Sequence, residues 1–272
     1  MQIHSASLPN YLATITRYRD LISQLVRREF STRYRGSMLG VLWAVVNPIL
    51  TVLIFSFLFG TIFKARWGSE PSSNGTFVII ALVGMIIHGI FAESLGQAPN
   101  VILGRPSYVK KVVFPLEILP IVTVVTALLN AAATMTVVLA ANGILNGSMP
   151  ITVLLLPVVL VPFIFLVGGV VLFVSAIGVY LRDLAQIVNF LTMATLFLAP
   201  VFYPISVVPA NYRFLLYLNP LTFIIEQSRE VALFGHLPDW SGLTIYSVIA
   251  FAFAWAGFWW FQRSRKGFAD VV

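Results

Sequence analysis

The sequence contains no cysteine and few charged residues. Without cysteine, a disulfide scaffold, a thiolate nucleophile and a thiolate metal site are all excluded. Charged residues make up 10% of the 272 residues, whereas soluble globular proteins carry roughly 25%. Hydrophobic residues reach 59% and the mean hydropathy is +0.93, which excludes disorder and leaves too little polar surface for a water-soluble fold. The composition therefore indicates a polytopic membrane protein.

The residue patterns of common catalytic and cofactor sites are also missing. The three histidines occupy positions 4, 88 and 236, in a terminal tail, a hydrophobic segment and a loop, and no serine–histidine pair is indicated. The sequence has no cluster of metal ligands, no paired carboxylates in a polar setting and no glycine-rich loop ending in Gly-Lys-Ser or Gly-Lys-Thr. We therefore expect no catalytic residue, cofactor or metal in this chain, and no energy source of its own.

Nearly uncharged hydrophobic stretches predict about six transmembrane helices, because a helix needs about 20 apolar residues to cross the hydrocarbon core. The predicted spans are residues 39–63, 76–98, two within 118–181 that are separated by a turn at 142–150, 184–208 and 241–262. The predicted fold is an all-α membrane protein with one transmembrane domain. Its parts are a cytoplasmic amphipathic segment at 1–38, a six-span bundle at 39–262 and a cytoplasmic tail at 263–272.

Lysine and arginine are concentrated on one side of the predicted spans. With six spans both termini share a side, and only Lys64, Arg66, Arg213 and Arg229 of the 17 basic residues fall on the other. Basic residues are retained in the cytoplasm, so both termini are predicted to be cytoplasmic. This bias explains a pI near 9.9 without nucleic acid, because the charge is a topology signal and a contact for anionic membrane lipid.

An amphipathic helix is predicted before the first span, over residues 10–35. Apolar residues recur there at helical spacing and most charged residues fall opposite, although Arg19, Glu29 and Arg33 intrude on the apolar face. A basic amphipathic helix of this kind is typical of a segment that lies among lipid headgroups. A docked cytoplasmic partner is compatible with the same surface.

The predicted cytoplasmic loop at 100–111 carries a second signal. Gly104 and Pro106 favour the end of one helix and the start of another. They are followed by a run that is both apolar and basic, Tyr108-Val109-Lys110-Lys111. The pattern is typical of an ordinary positive-inside loop or of a short helix that inserts into another protein.

Three prolines interrupt the apolar segment at 199–209, which therefore cannot form one regular helix. The segment is too apolar for a free loop in water, and short helices that re-enter the outer membrane face satisfy both facts. This re-entrant region is predicted to continue past Asn219-Pro220 to residues 226–235. Within it, Glu226 and Arg229 have the i, i+3 spacing of an ion pair.

Few ionisable residues lie in or beside the predicted spans. His88 and Glu93 are five residues apart, about 140° around a helix, and so do not share a face. We interpret them, with Glu117, as helix-interface or helix-end groups, and Arg182-Asp183 as a tight turn between the fourth and fifth spans. A proton-driven carrier is disfavoured, because it normally needs a chain of acidic groups in the membrane.

Several motifs, in order, resemble one known family. They are residues 33–43 (RYRGSMLGVLW) followed by Asn47-Pro48, residues 109–120 (VKKVVFPLEILP), residues 180–183 (YLRD), residues 200–204 (PVFYP) and residues 219–221 (NPL). Together with six predicted spans, they resemble the transmembrane permease subunit of bacterial polysaccharide-export ABC transporters, which move O-antigens, capsules and teichoic acids.

The resemblance implies an assembly and a substrate. The assembly is a homodimer of this chain with two copies of a nucleotide-binding subunit, which would bind ATP and Mg in place of this chain. The substrate is a polysaccharide on an undecaprenyl carrier, moved through a continuous channel in the bacterial inner membrane.

The resemblance also implies roles for particular residues. An interface helix along the inner leaflet would include Arg27, Arg28, Arg33 and Arg35. Coupling to the ATPase would involve Arg105, Ser107, Tyr108, Val109, Lys110 and Lys111. An outer gate would contain Pro200, Phe202, Tyr203, Pro204, Asn219 and Pro220. Charged groups at helix ends would be Glu93, Glu117, Arg182 and Asp183.

Three alternatives remain open at the level of sequence. An ABC permease for a drug or another lipid would have much the same coupling parts. A membrane enzyme acting on lipid-linked sugars would need an acid, base or metal constellation. A secondary carrier would transport without an ATPase partner, so co-purification of an ATPase separates the two permeases from the other two.

Overall fold

The computed structural model describes residues 8–63, 67, 74–110, 114–147 and 149–271, which form helices and turns without a β-strand. The predicted all-α class is thereby confirmed. In chain order the α-helices of these residues are α1 (Leu8–Arg17), α2 (Arg19–Arg33), α3 (Trp43–Phe55), α4 (Asn74–Gln97), α5 (Pro106–Val109), α6 (Ile118–Asn146), α7 (Leu156–Gly178), α8 (Leu184–Phe197), α9 (Arg213–Leu218), α10 (Pro220–Arg229), α11 (Trp240–Ser264) and α12 (Phe268–Val271).

Five helical segments of the described chain are long and apolar enough to cross a membrane. They are Gly40–Ile62, Thr76–Asn100, Ile118–Leu145, Ile151–Gly178 and Trp240–Val271. All five coincide with predicted spans to within a few residues, except that the last runs on past the predicted end. Continuous apolar composition therefore located these helices correctly.

The prediction of a fifth span at 184–208 was wrong in its extent. Helix α8 has only 14 residues. At 1.5 Å per residue it is about 21 Å long, which is less than the roughly 30 Å of the hydrocarbon core. The helix cannot continue, because Pro200 lacks an N–H and its ring would clash with the preceding turn. The chain instead turns over residues 198–204, and the predicted short helices follow.

The predicted turn at 142–150 is also shorter than expected. Helix α6 continues through Asn142 and Gly143 to Asn146. It ends at Gly147, which has a positive φ of 68° and donates its N–H to the carbonyl of Gly143 at 3.1 Å. A glycine in the left-handed region is a common helix terminator, so the second glycine stops this helix and the first does not.

The buried core forms two clusters along the bundle. The larger lies between α4, α6, α7 and α10, and its buried side chains include Val83, Phe163 and Ile224. The second lies where α1, α2 and α12 meet the ends of α6, α7 and α11. This end also carries α5 and most of the basic residues, and we call it the basic end.

Helices α7 and α11 are in very close contact because glycines face each other. A Cβ added to Gly169 would lie 2.5 Å from the carbonyl oxygen of Phe253, and one added to Gly257 would overlap the backbone of Gly169. Both overlaps are shorter than van der Waals contact. Small residues thus let the two backbones touch, as is common between membrane helices.

The first span packs loosely against the rest of the bundle. Only 6% of its apolar stretch is buried, against 72% for Thr76–Asn100. Leu53, Ile54 and Phe57 are each about 60% exposed. So large an apolar surface requires lipid or another protein as its neighbour.

The predicted amphipathic helix at 10–35 is two helices rather than one. Its continuity breaks at Tyr18, which has non-helical backbone angles between α1 and α2. The apolar face is as predicted, because Ile22 and Val26 are buried against the bundle. After α2, Gly36 at φ 87° and Gly40 at φ 51° turn the chain into the first span.

Candidate functional site

Helix α5 is a single turn that projects from the basic end between α4 and α6. It begins at Pro106, whose missing N–H costs nothing in the first turn of a helix. Ser107 and Lys110 are exposed, Tyr108 is half-buried and Val109 is buried at 8% exposure. Lys111, the other predicted coupling lysine, lies outside the described residues.

Ion pairs brace the chain on both sides of α5. Arg105 Nη2 lies 2.7 Å from Glu29 Oε2 on α2. On the other side, Arg265 Nη1 lies 2.9 Å from Glu117 Oε2, and its Nη2 donates to the carbonyl of Phe114 at 2.9 Å. The residues that flank α5 are thus held to α2 on one side and to the turn after α11 on the other.

A further ion pair ties α2 to the spans. Arg33 pairs with Glu93 on α4, and Asn130 Nδ2 on α6 donates to the same carboxylate oxygen at 2.8 Å. Glu29 and Arg33 lie one helical turn apart on α2 and hold different elements. These two ion pairs explain why Glu29 and Arg33 lie on the apolar face of the helix, where they weakened the amphipathic pattern.

The other predicted basic-end residues face outward. Arg27, Arg28 and Arg35 are exposed on or just after α2. Arg182 and Asp183 are exposed in the turn between α7 and α8, where Gln186 donates its N–H to the carbonyl of Asp183 at 3.1 Å. These charges are available to solvent, to lipid headgroups or to a partner.

At the opposite end, the predicted gate residues lie in and beside the 198–204 turn. The hydroxyl of Tyr203 donates to the carbonyl of Phe197 at 2.8 Å, closing the turn onto the end of α8. The ring of Phe202 stacks on Phe59 of the first span, with centroids 6.3 Å apart. Pro204 follows in an extended conformation. The turn therefore joins α8 to the first span.

Asn219 and Pro220 form the start of α10. The Asn219 side-chain oxygen accepts the N–H of Leu221 at 3.0 Å, which is the usual role of asparagine at a helix N-terminus. Pro220 occupies the first helical position. The side-chain amide of Asn219 also reaches the carbonyl of Thr195 on α8 at 3.4 Å. The pair thus fixes α10 against α8.

Arg229 was assigned no functional role from the sequence. It interacts electrostatically with Glu226, as the i, i+3 spacing suggested, but the two side chains form no direct ion pair in the described part of the chain. The hydrogen bonds of Arg229 go to backbone carbonyls of Ile80, Pro200 and Val201, at 3.0, 2.6 and 2.8 Å. The side chain is buried, with the residue 3% exposed. A buried guanidinium needs such partners, and here it joins α10, α4 and the 198–204 turn.

The surroundings of Arg229 are shaped to accept it. The ring of Trp67 lies 4.6 Å from the guanidinium carbon, in cation–π contact. A Cβ at Gly84 would lie 2.6 Å from Arg229 Nη2 and 3.3 Å from the Cα of Val201, so a larger residue there would displace the guanidinium. The sequence contains no clear signal of this burial, because Arg229 stands in the polar run Glu226-Gln227-Ser228-Arg229-Glu230.

His88 joins α4 to α8. Its Nε2 lies 3.0 Å from the carbonyl oxygen of Thr192 and 3.3 Å from the hydroxyl of Thr195. It therefore lies at a helix interface. Together with the Arg33–Glu93 ion pair and the Arg229 bond to Ile80, this contact makes α4 the element that links the basic end, α8 and the 198–204 turn.

The chain is similar to known transport proteins over most of its length. Residues 20–233 match the family model of the ABC-2 type transporters. Over 258 residues, 94% of this chain and 96% of the relative, it is 31% identical to the O-antigen export system permease protein RfbA of Myxococcus xanthus. It is 22% identical to RfbA of Klebsiella pneumoniae over 93% of this chain and 95% of the relative. It is also 22% identical to the polysialic acid transport protein KpsM of Escherichia coli, over 80% and 83%.

Proposed function

The chain belongs to the ABC-2 type transporter family, and we propose that it is the channel-forming subunit of an ATP-driven exporter of lipid-linked polysaccharide. It is a multi-pass inner-membrane permease that works with an ABC ATPase subunit. One observation carries the substrate class: relatives that match nearly the whole chain are named for O-antigen export and polysialic acid transport. The cargo would be an O-antigen-like polymer on an undecaprenyl carrier.

The basic end lies in the cytoplasm in this proposal, together with both termini. The excess of lysine and arginine at that end supports this orientation. Ser107 of α5 and Lys110 directly after it are exposed, and they would then contact the ATPase. ATP and Mg would be bound by that partner, and this chain would contribute no catalytic residue.

Force from the ATPase would reach the spans through the ion pairs around α5. Arg105 and Glu29 connect α5 to α2, and Glu117 and Arg265 connect it to α11. From α2, Arg33 and Glu93 continue the connection to α4. These contacts are direct and partly buried, and we propose that movement passes along them from one helix to the next.

A second copy of the chain would complete the channel. Non-helical backbone is tolerated at membrane depth only inside protein or beside a water-filled cavity. The first part of the 198–204 turn meets this condition inside the chain, because Ala199, Pro200 and Val201 are buried and Arg229 donates to the carbonyls of Pro200 and Val201. The half-buried residues 202–204 would meet it against a partner or beside a conduit. The loosely packed first span and the exposed Phe190 and Phe197 of α8 lie nearby and support a homodimer around this face.

The outer turn would act as the gate of this channel. Pro200, Phe202, Tyr203 and Pro204 form the turn, and Asn219 and Pro220 begin the helix packed behind it. The gate is held to the first span by Phe202 and to α8 by Tyr203. Both neighbours would move when the two copies separate.

Reconstitution tests the proposal. Proteoliposomes that contain this chain and its ATPase should export lipid-linked polysaccharide only with ATP, and Lys110→Glu should lower export about 5- to 10-fold without loss of membrane insertion. Lys266→Glu is the matched control, because Lys266 is an exposed lysine at the same end but outside α5. Unchanged export in Lys110→Glu would contradict the coupling role. Transport by this chain alone, or transport of a drug in place of the polymer, would contradict the proposed function.

A further inference from the structure

A cavity of about 670 Å³ opens at the basic end between α2 and the chain leading into α5. One wall is the face of α2 that carries Arg28, Glu29 and Arg33, and the other is the segment around Arg105. It lies directly beside the Arg105–Glu29 ion pair but is not filled by it. Ser107 and Tyr108 of α5, which are proposed to meet the ATPase, also line it, so an occupant would contact the same short helix.

The cavity has a net positive lining. Three arginines line it against a single carboxylate, Glu29, whose charge is already matched by Arg105. Arg33 is paired with Glu93, while Arg28 belongs to none of the ion pairs found among the described residues. Arg105 Nη1 is buried without a hydrogen-bond partner in the described part of the chain. Because Arg105 Nη1 is buried and Arg33 and Arg105 are paired, Arg28 is the lining arginine whose guanidinium remains available to an occupant.

The inner wall of the same cavity is apolar. The half-buried side chains of Leu25 on α2 and Tyr108 on α5 line it, whereas Leu119 and Val122 of α6, which also border it, are each only 1% exposed. Leu119 and Val122 belong to the first turns of the span Ile118–Leu145, so the cavity extends from the charged rim to the start of the membrane-spanning region. A cationic rim above an apolar wall matches a molecule that carries an anionic head on a hydrocarbon tail.

We propose that this cavity binds the phosphate-bearing headgroup of a membrane lipid, with Arg28 as its main free contact. Guanidinium groups bind phosphate through paired, charge-assisted hydrogen bonds. A soluble anion would gain nothing from the apolar wall, whereas a lipid places its first methylenes there. The inference does not depend on a polysaccharide cargo, since a structural phospholipid and a carrier-lipid diphosphate present the same chemistry.

Lipid binding to the intact complex with the ATPase, in an uncharged detergent, tests the site. The probes are phosphatidylglycerol against diacylglycerol, a polyprenyl diphosphate against the polyprenol, and inorganic pyrophosphate alone. At least one phosphate-bearing lipid should bind about 10-fold more tightly than its uncharged partner, and Arg28→Gln should weaken that binding about 5- to 10-fold. Whichever of the two lipids binds more tightly identifies the source of the headgroup.

Matched variants on α2 separate the site from general charge effects. Arg27→Gln removes the same charge one residue away but outside the cavity, and should change binding less than about twofold. Thr32→Trp should fill the cavity and abolish binding, whereas Ser31→Trp, on the neighbouring exposed position, should not.

Four results would overturn the proposal. They are equal binding of lipids with and without phosphate, equal loss in Arg27→Gln and Arg28→Gln, inorganic pyrophosphate binding as tightly as the lipids, and a Thr32→Trp variant that loses the ATPase but keeps the lipid. The last result would assign the cavity to the partner protein. All are binding measurements, so failure of polysaccharide export would leave their outcome unaffected.

Discussion

At the scale of single residues, Arg229 shows how a membrane protein keeps a cation inside its packed region. Three carbonyl oxygens and one aromatic ring surround the guanidinium. Two of those carbonyls belong to the 198–204 turn, where the proline and the tight geometry leave the backbone without helical partners. The arginine therefore satisfies backbone groups that the end of α8 would otherwise leave exposed to an apolar environment.

Gly84→Ala should disturb this arrangement. The added methyl group would lie 2.6 Å from Arg229 Nη2, so the guanidinium must shift away from its carbonyls. We expect the free energy of unfolding to fall by about 1–3 kcal/mol, which would appear as a lower unfolding temperature of the detergent-solubilised protein. Gly89→Ala on the same helix has nothing within 4 Å of the new methyl and should be neutral or slightly stabilising. Equal behaviour of the two variants would show that the space beside Arg229 is not limiting.

At the scale of elements, α5 behaves as part of a braced unit. It is too short to hold its position by its own hydrogen bonds, and the flanking ion pairs supply the missing constraint. The Glu117–Arg265 pair is the better shielded of the two, with side chains 6% and 20% exposed. Removal of one partner leaves a largely buried charge alone.

A double-mutant cycle should expose this coupling. Glu117→Gln and Arg265→Gln should each reduce stability and ATP-driven export, and the double variant should be no worse than the poorer single one. The interaction energy from thermal unfolding should fall within about 0.5–3 kcal/mol, as for residues in direct contact. If the stability changes of the two single variants simply add in the double variant, the Glu117–Arg265 pair does not stabilise the position of α5.

The comparison between sequence and structure is clearest for these elements. Apolar length located five spans, because hydrocarbon thickness constrains a helix whatever it packs against. The end of α8 was misplaced because counting apolar residues ignored Pro200, although the same proline had been used to predict the following turn. Partners of Glu29, Arg33 and Arg229 could not be predicted, since each contact joins residues far apart in sequence. The imperfect pattern on α2 was nevertheless a usable signal.

At the scale of the whole molecule, the bundle is asymmetric. Helices α7 and α11 touch through their glycines, although the outer face of α11 is exposed, whereas the first span is only 6% buried and α8 exposes most of its apolar surface. Helix α4 lies between these helices and is the most deeply buried span. The asymmetry is expected if a second copy covers the first span and α8.

Single-cysteine variants can map that contact, since the chain has no cysteine of its own. Leu53→Cys, 59% exposed on the first span, should form crosslinks between copies in membranes with a short bifunctional reagent. Val248→Cys, 67% exposed on α11, faces away from the proposed contact and should remain monomeric. Crosslinking through position 248 alone would place the second copy on the opposite side.

The glycine contact between α7 and α11 has a mechanical consequence. Backbones that touch without intervening side chains have no room to slide or tilt against each other, and any larger residue would force them apart. Helices α7 and α11 would therefore keep a fixed position relative to each other during transport. The conformational change would then occur in the first span and α8, which are loosely packed. The cargo would pass beside these two helices.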